Sequence, residues 1–141
     1  VVIEQNSALS YEGVNFAVVD ISQTLPYKSA TFDVVYAHLS IHYFSDTVTK
    51  KVVDEVSRIL KPHARFYFRC KSIDSHEKDD STEIEPRVYV SNSTGHIRHL
   101  FSEDYVRELL HDSFDITKLI ENEVEYAGKK AFVIDCWAKK R

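Results

Sequence analysis

From Val14 to Leu60 two short apolar runs are separated by turn residues, and the spacing of apolar residues then changes from near-continuous to threes and fours. That change of period leaves few folds open, because strands and helices space their buried faces differently. Val14, Phe16, Val18 and Val19 form a β-rich run that stops at Asp20, and Phe32 to Ala37 (F-D-V-V-Y-A) forms a second. Runs so short and so apolar suit strands covered on both faces, as in a parallel sheet between helices. Leu25-Pro26-Tyr27 turns the chain between them, since proline fixes φ and forces its predecessor out of the helical region. Ser45, Asp46 and Thr47 then supply acceptors for a helix start. Val48, Val52, Val53, Val56, Ile59 and Leu60 give that helix one apolar stripe, and Pro62 stands just past its end.

The remainder predicts a strand at Phe66 to Cys70, then a polar stretch from Ser72 to Glu85 that reads as a long, exposed, lid-like loop. Val88 to Val90 is a short extended piece leading into a turn at Ser91 to Gly95. Ser102, Glu103 and Asp104 open a second helix, with carboxylates placed to meet its dipole. Phe114 to Val124 and Ala131 to Ala138 are two strands joined by too short a turn to be parallel, so they are antiparallel neighbours. Val1 to Ile3 reads as a brief strand. The order is that of an α/β sheet whose last strand runs against the others.

At 141 residues the chain is expected to be one domain, 1–141, with a core that needs no disulfide or metal. A net charge of -4 without a Lys/Arg block lacks the footprint of a nucleic-acid binder, so small molecules or proteins are the expected partners. Cys70 and Cys136 lie inside apolar runs, which suits buried reduced thiols and a cytoplasmic protein. No run approaches the ~20 apolar residues that cross a bilayer. His38 and His42 are four apart but follow a strand, so the helical ligand geometry does not apply and no metal site is expected.

Three pieces together resemble the class I S-adenosylmethionine-dependent methyltransferases: V-V-D-I-S-Q-T-L-P-Y followed by S-A-T-F-D-V-V-Y-A-H, the helix ending E-V-S-R-I-L-K-P, and F-S-E-D-Y-V-R-E-L-L with a closing hairpin. The resemblance implies a Rossmann-like three-layer α/β sandwich, truncated at the N-terminus. Its sheet is mostly parallel with an antiparallel C-terminal strand inserted between the fifth and sixth. It implies methyl transfer from S-adenosylmethionine to a small-molecule substrate. Asp20 and Ile21 would meet the adenine, Ala37 and His38 the methionine end of the cofactor, and His42 and Tyr43 the acceptor. An Asx-type turn is the alternative reading of Asp20. His96, Arg98 and His99 are expected to form a solvated polar stretch.

The family's Gly-rich turn after its first strand is missing: the three glycines are Gly13, Gly95 and Gly128, and none lies in such a turn. Where the family has Gly-Gly after R-I-L-K-P, this chain has His63-Ala64. Without the family's central strand two apolar edges would be exposed. A homodimer or a rearranged sheet is therefore expected, and a non-catalytic, dimeric binding module is the alternative to the enzyme.

Overall fold

The computed structural model describes residues 13–126 and 128–141. Strand β1 (Phe32–His38) leads through a short loop into helix α1 (Asp46–Ile59), which passes directly into β2 (Leu60–Lys71). A 3-10 turn at His76–Lys78 and three short strands follow, β3 (Ser81–Glu85), β4 (Val88–Ser91) and β5 (Ile97–His99). Helix α2 (Glu103–Leu110) and the long hairpin β6 (Phe114–Tyr126) and β7 (Lys129–Lys140) complete the described chain.

Both helix starts follow from their caps. The Ser45 hydroxyl accepts from Val48 N–H and the Ser102 hydroxyl from Tyr105 N–H, satisfying backbone donors that have no partner within the helix. At the far end of α1 the Lys140 ammonium donates to the carbonyls of Ser57 and Leu60, where a cation meets the negative end of the dipole.

The main sheet has the order β1-β2-β7-β6. β1 and β2 are parallel, and β7 is antiparallel to both β2 and β6, so three strands run one way and the last is wedged between them in reverse. This is the α/β arrangement expected from sequence. Period-two alternation splits β2 cleanly: Ala64, Phe66, Phe68 and Cys70 are buried, while Arg65, Tyr67 and Arg69 point the other way. The buried row packs with Val52, Val53 and Val56 of α1, Val106 and Leu110 of α2, and Phe114, Ile134, Cys136 and Ala138 of the hairpin. Both helices therefore cover the same face. The opposite face displays Val34 at 49% and Tyr36 at 68% exposure.

Three sequence expectations need correction. Val14 to Asp20 forms no strand, and Val14, Phe16 and Val18 are exposed. A strand needs a neighbour for its backbone groups, and no described strand pairs with the outer edge of β1. The polar stretch after Ser72 is not a loop throughout. Thr82 and Ile84 lie in β3, and β3-β4-β5 make a separate antiparallel sheet. Third, β2 begins at Leu60 itself, with His63 in the left-handed region at φ 64°, the conformation glycine adopts most cheaply. The expected strand at Val1 to Ile3 lies outside the described residues.

Cys70 and Cys136 are buried free thiols, as expected, and burial pushes the Cys136 thiol up to about 12. Phe66 is fully buried, with ring centroids of Phe68 and Phe114 at 5.0 and 5.6 Å. Phe66→Ala is expected to cost about 3–5 kcal/mol in urea unfolding, and Tyr36→Ala on the open face less than about 1 kcal/mol. Equal losses would contradict this placement of the core.

Candidate functional site

The carboxyl end of β1 brings Ala37 and His38 to the rim of the sheet. Leu39 ends the strand there in the left-handed region at φ 51°, and its N–H donates to the Arg69 carbonyl at 2.9 Å. Ala37 is half-buried against the core, whereas the exposed His38 ring stacks on Tyr36 with centroids 6.1 Å apart. Beside His38 in register stands Arg69, bonded through Nε and Nη2 to Asp135 at 2.6 and 2.7 Å. Those bonds, with burial opposing and Asn122 assisting, hold the Asp135 carboxyl below its ordinary range.

The loop beyond His38 turns inward, burying Ile41 and His42. His42 lies against Tyr43 with ring centroids at 4.5 Å, and the Arg98 guanidinium sits 4.5 Å from the centre of the Tyr43 ring. The small sheet closes over this loop. His99 N–H donates to the His42 carbonyl at 2.9 Å, and Glu85 accepts from Asp46 N–H at the start of α1.

His99 is not part of a solvated stretch, unlike its exposed neighbour His96. It is completely buried, with Nδ1 at 3.1 Å from Thr49 Oγ1 and its ring between Phe101 and Tyr105 at 4.8 and 4.7 Å. Its Nε2 has no hydrogen-bond partner among the described residues. Tyr105 donates its hydroxyl to Asp46 Oδ1 at 2.8 Å, and the Arg87 guanidinium lies 4.4 Å from the Tyr105 ring centre. Burial works against the Asp46 charge, yet bonds from Lys50 and Tyr105 outweigh it and keep the carboxyl low. Burial and the bond to Asp46 push Tyr105 upward. Desolvation drives His99 down to about 4, with Asp46 opposing and Arg87 and Lys50 reinforcing. Sequence reasoning missed this cluster because its members are scattered over α1, α2 and the small sheet; only the capping role of Asp46 was visible locally.

Asp20 is placed differently. Its Oδ1 accepts from Ser22 N–H at 2.9 Å and Ser22 hydroxyl at 2.7 Å, an Asx turn, and the hydroxyl bond foremost keeps the carboxyl below its usual range. Among the described residues its hydrogen bonds stay within the turn, and none reaches the β1 rim. Ile21 is half-buried beside it. The chain then runs down α1: Leu25 N–H donates to Glu55 at 2.8 Å, while Arg58 donates to the carbonyls of Leu25 and Tyr27 at 3.1 and 2.8 Å. The Arg58 bonds, aided by Leu25, hold Glu55 down to about 2. No group of three metal-ligating side chains occurs among the described residues, and none of their helices is long and apolar enough to cross a membrane.

Residues 2–68 match a sequence model described as a methyltransferase domain. Among solved structures, a SAM-dependent methyltransferase from Methanosarcina mazei superposes with a TM-score of 0.76 at 24% identity, over 89% of this chain and 66% of that one. The fold of the chain is that of S-adenosylmethionine-dependent methyltransferases. A Burkholderia thailandensis 1,6-didemethyltoxoflavin-N1-methyltransferase, solved with its substrate and S-adenosylhomocysteine, gives a TM-score of 0.68 at 17% identity, over 89% of this chain and 50% of that one. The PH0226 protein of Pyrococcus horikoshii gives 0.68 at 22% identity, over 92% and 60%. The chain thus spans between half and about two-thirds of the solved chains it resembles. No curated protein matches it.

The buried imidazole makes the small sheet's attachment pH-dependent. The folded state favours neutral His99, so its contribution is fully present above the ordinary pKa of 6.5 and is lost as pH falls from there through about 4. Unfolding free energy is expected to drop by up to about 3 kcal/mol across that window, and His99→Gln should flatten the profile. An unchanged slope in that variant would assign the acid sensitivity elsewhere.

Proposed function

We propose that the chain serves S-adenosylmethionine-dependent methyl transfer to a small-molecule acceptor, with Ala37, His38, His42 and Tyr43 at the carboxyl rim of the sheet and Asp20 in the turn at Asp20–Gln23. The observation that carries this reading is the strand order β1-β2-β7-β6 with β7 reversed, which makes the end of β1 the place where open α/β sheets take ligands. Asp20 has both Ser22 bonds on Oδ1, which leaves Oδ2 for the adenine amino group, with Ile21 against the ring. Ala37 and His38 border the methionine end, and His42 and Tyr43, under Arg98, border the acceptor.

The fit to the cofactor is uneven. An anionic Asp20 suits an amino donor, but none of Gly13, Gly95 and Gly128 lies in the Gly-rich turn after a strand that would cradle the amino acid end of the cofactor. The cofactor supplies the methyl group on a sulfonium. The residues of this chain align it and shield it, and methyl transfer needs mostly that alignment. The buried His42 and the aromatic face of Tyr43 supply a dry wall for the acceptor. The paired Arg69 and Asp135 keep the adjoining rim charged but internally neutralised.

Isothermal titration with S-adenosylhomocysteine tests this reading. Weak binding is expected, of about millimolar Kd or roughly 4 kcal/mol, weakened at least severalfold by Asp20→Ala and unaffected by Asp112→Ala far along the chain. Absence of heat at saturating cofactor, or equal effects of both variants, overturns it.

A further inference from the structure

Arg58, Arg69 and Arg98 differ in what faces the guanidinium edge formed by Nε and Nη2. Arg58 forks Glu55 with those two nitrogens at 2.8 Å each, and Arg69 forks Asp135 with the same pair at 2.6 and 2.7 Å. Arg98 is held otherwise. Its Nη1 donates to the Ile97 carbonyl at 2.9 Å and its guanidinium carbon lies 4.5 Å from the centre of the Tyr43 ring, while its Nε–Nη2 edge meets no carboxylate among the described residues. Alternation along β5 sends His99 inward between the helices and leaves Arg98 half-buried on the other side. The bond from His99 N–H to the His42 carbonyl ties this strand to the loop that carries Tyr43. Stacking on an aromatic ring engages a guanidinium's face and none of its N–H groups, so the donors in its plane still call for acceptors.

Arg98 also lines a pocket of about 480 Å³ made by residues of the 3-10 turn, the small sheet and the start of β7. Lys129 lines it too, whereas the neighbouring Lys130 is paired with Glu123. Asp79 and Asp80 belong to the same lining, with Asp79 3.5 Å from His76. The pocket therefore carries both signs, and what selects an anion there is the planar fork rather than net charge.

We propose that Arg98 receives the carboxylate or phosphate of an anionic methyl acceptor: two oxygens of the ligand accept from Nε and Nη2, and the rest of the molecule lies along Tyr43 toward the end of β1. Two parallel bonds leave the anion one plane to lie in, so the fork fixes orientation as well as position. Methyl transfer depends chiefly on alignment, and a residue that fixes one end of the acceptor decides which molecules react. A neutral acceptor of the same size would leave the fork unbonded and is disfavoured for that reason. The acceptor role rests on the methyl-transfer reading above; the anion site itself does not.

Titration of the full chain with inorganic phosphate and, separately, with malonate at low salt reads the site without cofactor. A dissociation constant of about a millimolar is expected for at least one of them. Tighter binding of phosphate assigns phosphorylated acceptors, and tighter binding of malonate assigns carboxylic acids. Arg98→Gln is expected to weaken that binding about tenfold. Arg98→Lys keeps the charge without the fork and is expected to weaken it severalfold. Arg65→Gln, which removes an exposed cation from the face of β2 away from the helices, is expected to leave it unchanged. All three variants are expected to retain the circular dichroism spectrum; if Arg98→Gln does not, Arg98→Lys carries the test. No heat with either anion, equal weakening by Arg98→Gln and Arg65→Gln, or binding undiminished in both Arg98 variants overturns the proposal. Anion binding that depends on Arg98, in a chain that gives no heat with S-adenosylhomocysteine, removes the methyl-acceptor role and leaves the anion site standing.

Discussion

Everything in this fold depends on how β7 meets β2. In that ladder Phe66 faces Ala138, Phe68 faces Cys136 and Cys70 faces Ile134 on the helix side, while Tyr67 faces Trp137 and Arg69 faces Asp135 on the other. A slip of one residue would send the phenylalanines to the open face and the ion pair into the core. Arg69 and Asp135 are directly opposite and bonded in two places, so the pair exists in one register only. Its energetic worth is modest because the Arg69 side chain is 30% exposed. Its effect is to raise the cost of the alternatives, since a slipped register would bury both charges without compensation.

From that central pair the rim follows. β1 takes its position from β2, which fixes where His38 ends, and the bridge between Ser72 and Phe101 leads the chain back across the same rim after the small sheet. Phe101 N–H donates to the Lys71 carbonyl, Ser72 N–H to the Phe132 carbonyl, and Ser72 hydroxyl to Glu121. The small sheet is thereby held from two sides: by this crossing at the end of β2, and by His99 between α1 and α2. A buried neutral imidazole with one nitrogen unpaired is an expensive joint. The aromatic rings packed on it and the Asp46–Tyr105 bond beside it offset that expense at neutral pH.

Local features were legible in the sequence, and features made by distant partners were not. Ser45 and Ser102 announced their helices because a cap is completed within three residues. The β6–β7 hairpin was legible because a short turn admits only antiparallel neighbours. By contrast, Val14 to Asp20 has the same strand-like composition as β1, but a strand exists only where another backbone accepts it. The burial of His99 was invisible for the same reason, since Arg98 and His96 beside it are polar and of the two rings packed on it only Phe101 is near in sequence, while Tyr105 comes from α2. Near the candidate site, the strand that ends at Ala37 and His38 was legible from its apolar run, whereas the inward turn that buries Ile41 and His42 was not. The Asx turn at Asp20 was one of two readings the sequence allowed.

The distribution of backbone strain adds a constraint that composition conceals. Among the described residues, four other than glycine adopt left-handed φ: Ala30, Leu39, His63 and Arg87. Each costs about 1–2 kcal/mol, so each persists only where neighbours hold it. Ala30 N–H is held by the Arg58 carbonyl, Leu39 N–H by the Arg69 carbonyl, and Arg87 by Glu83 on its N–H and Leu100 on its carbonyl. Two of the four bracket β1, one just before Phe32 and one just after His38. The strand that carries the rim is therefore clamped at both ends by bonds to α1 and β2. The three glycines sit in turns with open space around them. Ala30 and Leu39 thus hold β1 in an over-determined geometry, which is where strained backbone tends to accompany function.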